Sequence, residues 1–256
     1  MSKEKGFAFQ NDEIRFYVDG NIAVMVFHSN TFETLSNMEK SGQILSVCDW
    51  IEQDPVINCL LVLNDEGAFD DTAYHSFMHG LSTVDESFTQ NHLTTEKKLV
   101  RARQMNTFRN FIMKMVEYKK LFIQGMQGNI VTPFFGMSLC ADFRFAAQDM
   151  CFVLNHNKYG MHPTGALPFF LPRFVGQSKA NEILFTCRDI NSDKAKDQGL
   201  INEIFPNEGF EKLCIEEAKK MCCLDQNVLK LTKRFINNYH DELEKYFDNE
   251  ARAIGF

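Results

Sequence analysis

Long apolar runs are missing from this sequence. Stretches such as residues 59–63 are far too short to cross a bilayer, which excludes a helical membrane protein. The polar start, residues 1–6, leads into no apolar segment of the kind a secretory signal requires. Also missing is any C-x-x-C pair among the eight cysteines at 48, 59, 140, 151, 187, 214, 222 and 223. Most of them lie inside apolar stretches and read as reduced thiols in a reducing compartment. The expected location is therefore the cytoplasm, with no membrane partner. Basic residues are not in excess: 27 Lys and Arg stand against 34 Asp and Glu, mixed along the chain. That removes the electrostatic footprint of a nucleic-acid binder. No repeat of 20 to 50 residues and no low-complexity linker divides the chain. What is present is a globular composition, 45% hydrophobic and 24% charged over 256 residues, sufficient for one main domain with a substantial core.

Residues 14–18 and 22–27 are β-rich runs joined by Asp19-Gly20-Asn21, a hairpin turn sequence. Over residues 34–52, Leu35, Met38, Ile44, Leu45, Val47, Cys48 and Ile51 keep helical spacing, and Pro55 follows the helix end. Residues 57–63 read as a buried strand. Residues 64–96 hold turn formers and weak periodicity, so they read as a loop with short helical pieces, and long irregular segments are often functional. In residues 96–119, Leu99, Ala102, Met105, Phe108, Ile112 and Met115 or Val116 recur at three and four. They mark the inward face of a long amphipathic helix whose basic residues lie mainly elsewhere on the wheel. A strand at 121–125, a loop, a short helix ending near Ala141 and strands at 143–146 and 151–154 follow. After Thr164 the chain turns helical, so βα units come first and helices last.

The segment Gly128-Asn-Ile-Val-Thr-Pro-Phe-Phe-Gly-Met-Ser-Leu-Cys-Ala-Asp142 resembles the crotonase signature G-x-x-x-G-G-G-x-E-L-x-x-x-C-D, with first Gly and last Asp at the same separation. Further on, Gly160-Met-His-Pro163, Leu171-Pro-Arg-Phe-Val-Gly176, Ala180 to Thr186 and Asn191 to Asn202 are similar to the family stretches G-x-x-P, L-P-R-x-V-G, A-x-x-x-x-x-T-G and S-A-x-x-A-x-x-x-G-L-V-N. Several motifs in register identify the chain as a divergent member of the crotonase (enoyl-CoA hydratase/isomerase) superfamily, covering about residues 10–252. The resemblance implies an α/β fold of the crotonase (ClpP-like) type. A spiral core of ββα units would occupy residues 1–200, and a shortened helical trimerisation region residues 201–256. The family usually continues past residues 250–253 into another helix, so part of the usual C-terminal packing is expected to be missing.

The family's shared chemistry polarises a thioester carbonyl with two backbone N–H groups placed where enolate charge develops. The first comes from a loop F-x-x-G-x-D, matched by Phe69-Asp-Asp-Thr-Ala-Tyr74, which makes Ala73 the candidate donor; an ordinary turn after a strand is the competing reading. The second is normally the middle glycine of G-G-G at a helix start. Pro133 stands there and has no N–H, although its fixed φ suits a first helical turn. Either Phe134 has taken over as donor or the hole has one donor only, a loss of ~3 kcal/mol in transition-state stabilisation. The two glutamates of a hydratase are replaced by Gly136, which can do no acid–base work and leaves space, and by His156, which titrates near neutrality.

Asn155-His-Asn-Lys-Tyr-Gly160 with Pro163 is also similar to the polyketide β-branching decarboxylases of the superfamily, which lack both glutamates. By that resemblance Tyr74 or His75 would supply a proton and His156 would handle another; the competing readings are a surface loop for the first two and a hydrogen-bonded loop histidine for the third. Two functions are therefore expected in competition. One is a lyase or isomerase acting on an acyl-CoA or acyl-carrier-protein thioester. The other is a non-catalytic homologue serving as a binding or assembly subunit, motivated by Pro133, Gly136 and the bulky Phe134-Phe135 pair. No cofactor is implied, and a homotrimer or hexamer is expected from the family. His75 and His79 have the i, i+4 spacing of zinc ligands but no third ligand, so no metal is expected. Lys97, Lys98, Arg101 and Arg103 could meet CoA phosphates, but a solvated helix face is the commoner reason for such a run.

Overall fold

The computed structural model describes residues 9–10, 13–29, 31–81 and 95–254. The chain enters through a short strand β1 (Phe9–Gln10) and the hairpin β2 (Ile14–Asp19) and β3 (Ile22–Phe27), in which Asp19 pairs with Ile22. The two-residue turn holds Gly20 at φ 64°, a left-handed conformation that glycine adopts without a Cβ clash. The expected single helix over 34–52 is two, α1 (Thr31–Ser36) and α2 (Met38–Gln53). The break falls at Asn37, whose side chain accepts from the N–H groups of Glu39 and Lys40 and so caps α2. β4 (Cys59–Asn64) follows. The segment read as a loop then contains an 11-residue helix, α3 (Asp71–Leu81), and α4 (Thr95–Val116) comes next.

β5 (Leu121–Met126), β6 (Asn129–Val131), α5 (Thr132–Ser138), β7 (Phe143–Ala147) and β8 (Cys151–Val153) lead to a 3-10 turn at His156–Tyr159. The remainder is α6 (Leu167–Val175), α7 (Gln177–Thr186), β9 (Ile190–Asn191), α8 (Ser192–Asp197), β10 (Glu203–Phe205), α9 (Phe210–Met221), α10 (Gln226–Ile236) and α11 (His240–Ile254). Among the described residues the main sheet runs β1-β2-β3-β4-β5-β7-β10, antiparallel up to β3 and parallel beyond it, and β6, β8 and β9 form a second small sheet. The parallel strands are covered on both faces, which is why β3 and β4 read as unbroken apolar runs.

Period-two alternation divides the core. Ala23, Met25, Leu60, Val62 and Phe122 face the layer built from α1 to α6, while Val24, Val26, Leu61, Leu63 and Ile123 face α9. Each of these side chains except that of Ala23 contributes ~1.5–3 kcal/mol on burial. Gly125 lets α9 close down: a Cβ there would press on Cys214 Sγ at 3.2 Å and on Leu63. Mixed α/β layers around a mainly parallel sheet are those of the crotonase fold.

The inward face of α4 departs from the periodic one in its first half. Leu99 is 49% exposed, and the fully buried positions there are Arg101 and Gln104. From Phe108 onward, through Phe111, Ile112 and Met115, the apolar residues are buried in the core, whereas in the first half only the partly buried Val100 packs against it among the described residues.

Candidate functional site

The two segments that should face each other across a thioester carbonyl are the start of α3 and the start of α5. Asp70 precedes α3, and its Oδ1 accepts the Ala73 N–H at 2.7 Å, so the candidate first donor is spent on capping its own helix. The Val131 N–H donates to the Phe69 carbonyl at 3.0 Å and ties the two segments together. Between them the rings of Phe69 and Phe134 stack with centroids 3.9 Å apart and 15° between planes. Both side chains are buried, and Phe32 and Phe108 pack on Phe134 from the sides at 5.1 and 5.5 Å. Aromatic contacts of this kind add ~0.5–1.5 kcal/mol each beyond burial.

All seven residues of α5 are buried, with Pro133 in its first turn as its fixed φ favours. The space expected at Gly136 is taken by the main chain of 165–167. A Cβ on Gly136 would stand 2.8 Å from both the Gly165 carbonyl carbon and the Leu167 nitrogen. Gly165, at φ 70°, in turn lies against the Pro133 carbonyl. Position 136 is therefore a backbone-to-backbone contact.

His156 is buried at the start of the 3-10 turn. Its Nε2 lies 3.0 Å from the Leu184 carbonyl oxygen, which can only accept, so Nε2 carries the proton. Nδ1 faces the Thr132 hydroxyl at 3.5 Å, and Cys187 Sγ lies 3.3 Å from Nε2. Cys187 occupies the place of the glycine after T in A-x-x-x-x-x-T-G and has a left-handed backbone at φ 50°. Burial lowers the His156 pKa from its ordinary value, with the Leu184 carbonyl pulling the other way. The unfolded chain therefore takes up a proton near pH 6.5 that the folded chain refuses, so stability is full above that pH and falls on acidification toward the lowered pKa. We expect His156→Gln to flatten this acid limb in urea titrations between pH 7 and 5. An unchanged limb would show that other groups carry it.

Tyr74 is buried between Phe32 at 5.0 Å and an edge-on Tyr159 at 5.4 Å. Burial raises its phenol pKa, and a hydrogen-bonded Arg101 offsets part of the rise. His75 is half-buried, with its ring 6.2 Å from that of Tyr159. Asp71 accepts from Asn155 Nδ2 at 2.5 Å and pairs with Lys158 at 3.4 Å, joining α3 to the 3-10 turn. Tyr74, His75 and Tyr159 are thus one group, and His156 faces Thr132 and Cys187 instead. Arg101 is not part of a solvated face, being 3% exposed, whereas Arg103 is exposed. The side chains of His79, Lys97 and Lys98 lie outside the described residues. Among those described, no group of three or more His, Cys, Asp or Glu is gathered as a metal would require, and no helix is long and apolar enough to cross a membrane. Asp70, Cys187 and Gln104 were missed by sequence reasoning. Asp70 alone left a usable signal, an acidic residue three before Ala73 at a helix start.

An α/β spiral with this pair of facing loops defines a crotonase-type protein. The chain belongs to the enoyl-CoA hydratase/isomerase family, whose model matches residues 87–255. Its fold is similar to that of an enoyl-CoA hydratase/isomerase from Cupriavidus metallidurans CH34, at 22% identity and TM-score 0.72 over 97% of this chain and 91% of that one. HypX from Aquifex aeolicus gives TM-score 0.77 at 19% identity, over 96% of this chain and 42% of that one. Among curated relatives, the Chromodomain Y-like protein of Mus musculus is 23% identical over 163 residues, 63% of this chain and 28% of that protein. The Testis-specific chromodomain protein Y 2 of Homo sapiens is 21% identical over 172 residues, 67% and 32%. The chain thus spans less than a third of the length of these two relatives.

Proposed function

We propose that this chain is a crotonase-fold binding or assembly subunit that does not hydrate or isomerise acyl thioesters by the family's oxyanion mechanism. The observation that carries this reading is the Phe69–Phe134 stack, which occupies the gap between the two loops while Asp70 takes the Ala73 N–H. Pro133 without an N–H and Gly136 packed on the Gly165 main chain agree with it. A role in homo-oligomeric assembly is supported by α10, which buries only Lys233 and exposes Val228, Leu231 and Phe235 on one face, with Phe235 76% exposed.

Isothermal calorimetry with CoA and short acyl-CoAs is expected to give no binding heat, and sedimentation equilibrium to give a species heavier than one chain. Micromolar binding of any acyl-CoA would overturn the first part, and a monomer the second. A second reading, a decarboxylase-like lyase on a CoA- or carrier-bound acyl group, draws on the grouping of Tyr74, His75 and Tyr159 as proton donors beside α3, with His156 handling another proton. Turnover of an acyl thioester that Tyr74→Phe abolishes would favour it over the first.

A further inference from the structure

Helix α4 turns Arg101 and Gln104 inward in place of the apolar positions 99, 102 and 105 that its periodicity marks, and such local violations concentrate at functional sites. Arg101 is 3% exposed, and among the described residues its guanidinium meets neutral groups: the Gln104 side-chain oxygen, the Tyr74 hydroxyl, and Met161 Sδ at 4.0 Å. Among the described residues no carboxylate reaches it. Gln104 is fully buried, and its amide nitrogen has no hydrogen-bond partner. The other inward guanidinium among the described residues, Arg144, is served differently. It donates to the carbonyls of Leu200 and Ala141, each at 2.7 Å, and feels the charge of Asp142.

A buried cation without a counter-charge is retained only against a large desolvation cost, and buried charges in folded proteins are otherwise paired. We propose that Arg101 and Gln104 form a binding site for the carboxylate of a small organic acid, at the junction of α4 with Tyr74 of α3 and Met161 after the 3-10 turn. A planar carboxylate matches the guanidinium edge and carries a second oxygen for the Gln104 amide. One guanidinium balances one negative charge, which favours a monoanion over phosphate. Tyr74 then positions the guanidinium rather than donating a proton to a substrate. The site does not depend on whether the chain turns over a thioester.

Scanning fluorimetry of the full chain at about pH 8, where phosphate is mainly a dianion, at constant ionic strength with chloride as balancing salt, tests this with sodium acetate, sodium propionate and sodium phosphate. The expected result is a saturable rise in Tm with acetate or propionate and none with phosphate. In Arg101→Met, which keeps the volume and removes the charge, the rise disappears. That variant is also more stable than wild type in carboxylate-free buffer, because it no longer buries an unpaired cation. A merely structural arginine predicts the opposite sign, a lower Tm for Arg101→Met in every buffer and no response of wild type to any anion. Should Arg101→Met fail to fold, Gln104→Leu is expected to shift the acetate midpoint at least tenfold upward. No saturable response of wild type, a response retained in Arg101→Met, or an equal response to phosphate overturns the assignment.

Discussion

Gly136→Glu, the substitution that restores the family's first carboxylate, abolishes cooperative folding instead of creating a hydratase. The reason is local and steric. A Cβ at 136 would meet the Gly165 carbonyl group and the Leu167 nitrogen, which are main-chain atoms that cannot rotate away. Because Gly165 already lies against the Pro133 carbonyl with φ 70°, the strand of contact cannot retreat on that side either. Gly136→Ala should therefore cost ~3 kcal/mol or more, the upper end of overpacking penalties. The larger Glu adds a carboxylate in a helix whose every residue is buried, and it exceeds the stability margin of an ordinary domain, ~5–15 kcal/mol. Gly42 is the internal control. It lies exposed in α2 with nothing within 4 Å of a Cβ, so Gly42→Ala should be neutral or stabilise by up to ~1 kcal/mol. Urea denaturation of the two alanine variants decides the matter; equal stabilities would mean that the 165–167 main chain yields freely.

The strands and the late helices were legible because their signals are local. The hairpin at Asp19-Gly20-Asn21 and the apolar runs at 22–27 and 57–63 depend on turn chemistry and on burial of both sheet faces, and both are visible in composition. The helix after Asp70 was not legible, since an Asp-Asp-Thr start carries a cap but residues 71–81 alternate polar and apolar weakly. Periodicity also misplaced the front of α4. Leu99, Ala102 and Met105 satisfy the helical period, yet the protein turns Arg101 and Gln104 inward, which only tertiary partners such as Tyr74 explain. At the site, motif spacing marked the segments that hold Phe69, Phe134 and Gly136, and the fold packs Phe69 against Phe134. Spacing could not foresee that two of those residues stack on each other and that the third touches a distant glycine, because neither contact leaves a mark in either segment's own sequence.

Lys233→Met should cost ~3–5 kcal/mol, the range expected when one member of a buried ion pair is removed. Lys233 is the sole buried residue of α10. Its Nζ donates to Asp142 Oδ2 at 2.6 Å and to the Lys120 carbonyl at 2.7 Å, while Asp142 also accepts the Phe122 N–H at 2.7 Å. The pair thus fastens α10 to the start of β5. Burial raises the Asp142 pKa, and Lys233 is the largest influence pulling it back. Without Lys233 the carboxyl rises further, and its ionised form keeps only the Phe122 N–H and the Arg144 charge to offset burial. A carboxyl whose folded pKa is raised contributes stability below its unfolded pKa and loses it as pH climbs through the folded value. The deficit of Lys233→Met against wild type is therefore greatest at pH 7 and narrows as the pH falls and Asp142 takes up its proton. Asp142→Asn alone strands the ammonium instead. In Asp142→Asn with Lys233→Met both charges are gone, so the double variant should be destabilised by less than the sum of the single changes. Urea denaturation of the three variants at several pH values reads both effects. A deficit that stays constant with pH, or strict additivity, would mean that this pair contributes packing rather than charge.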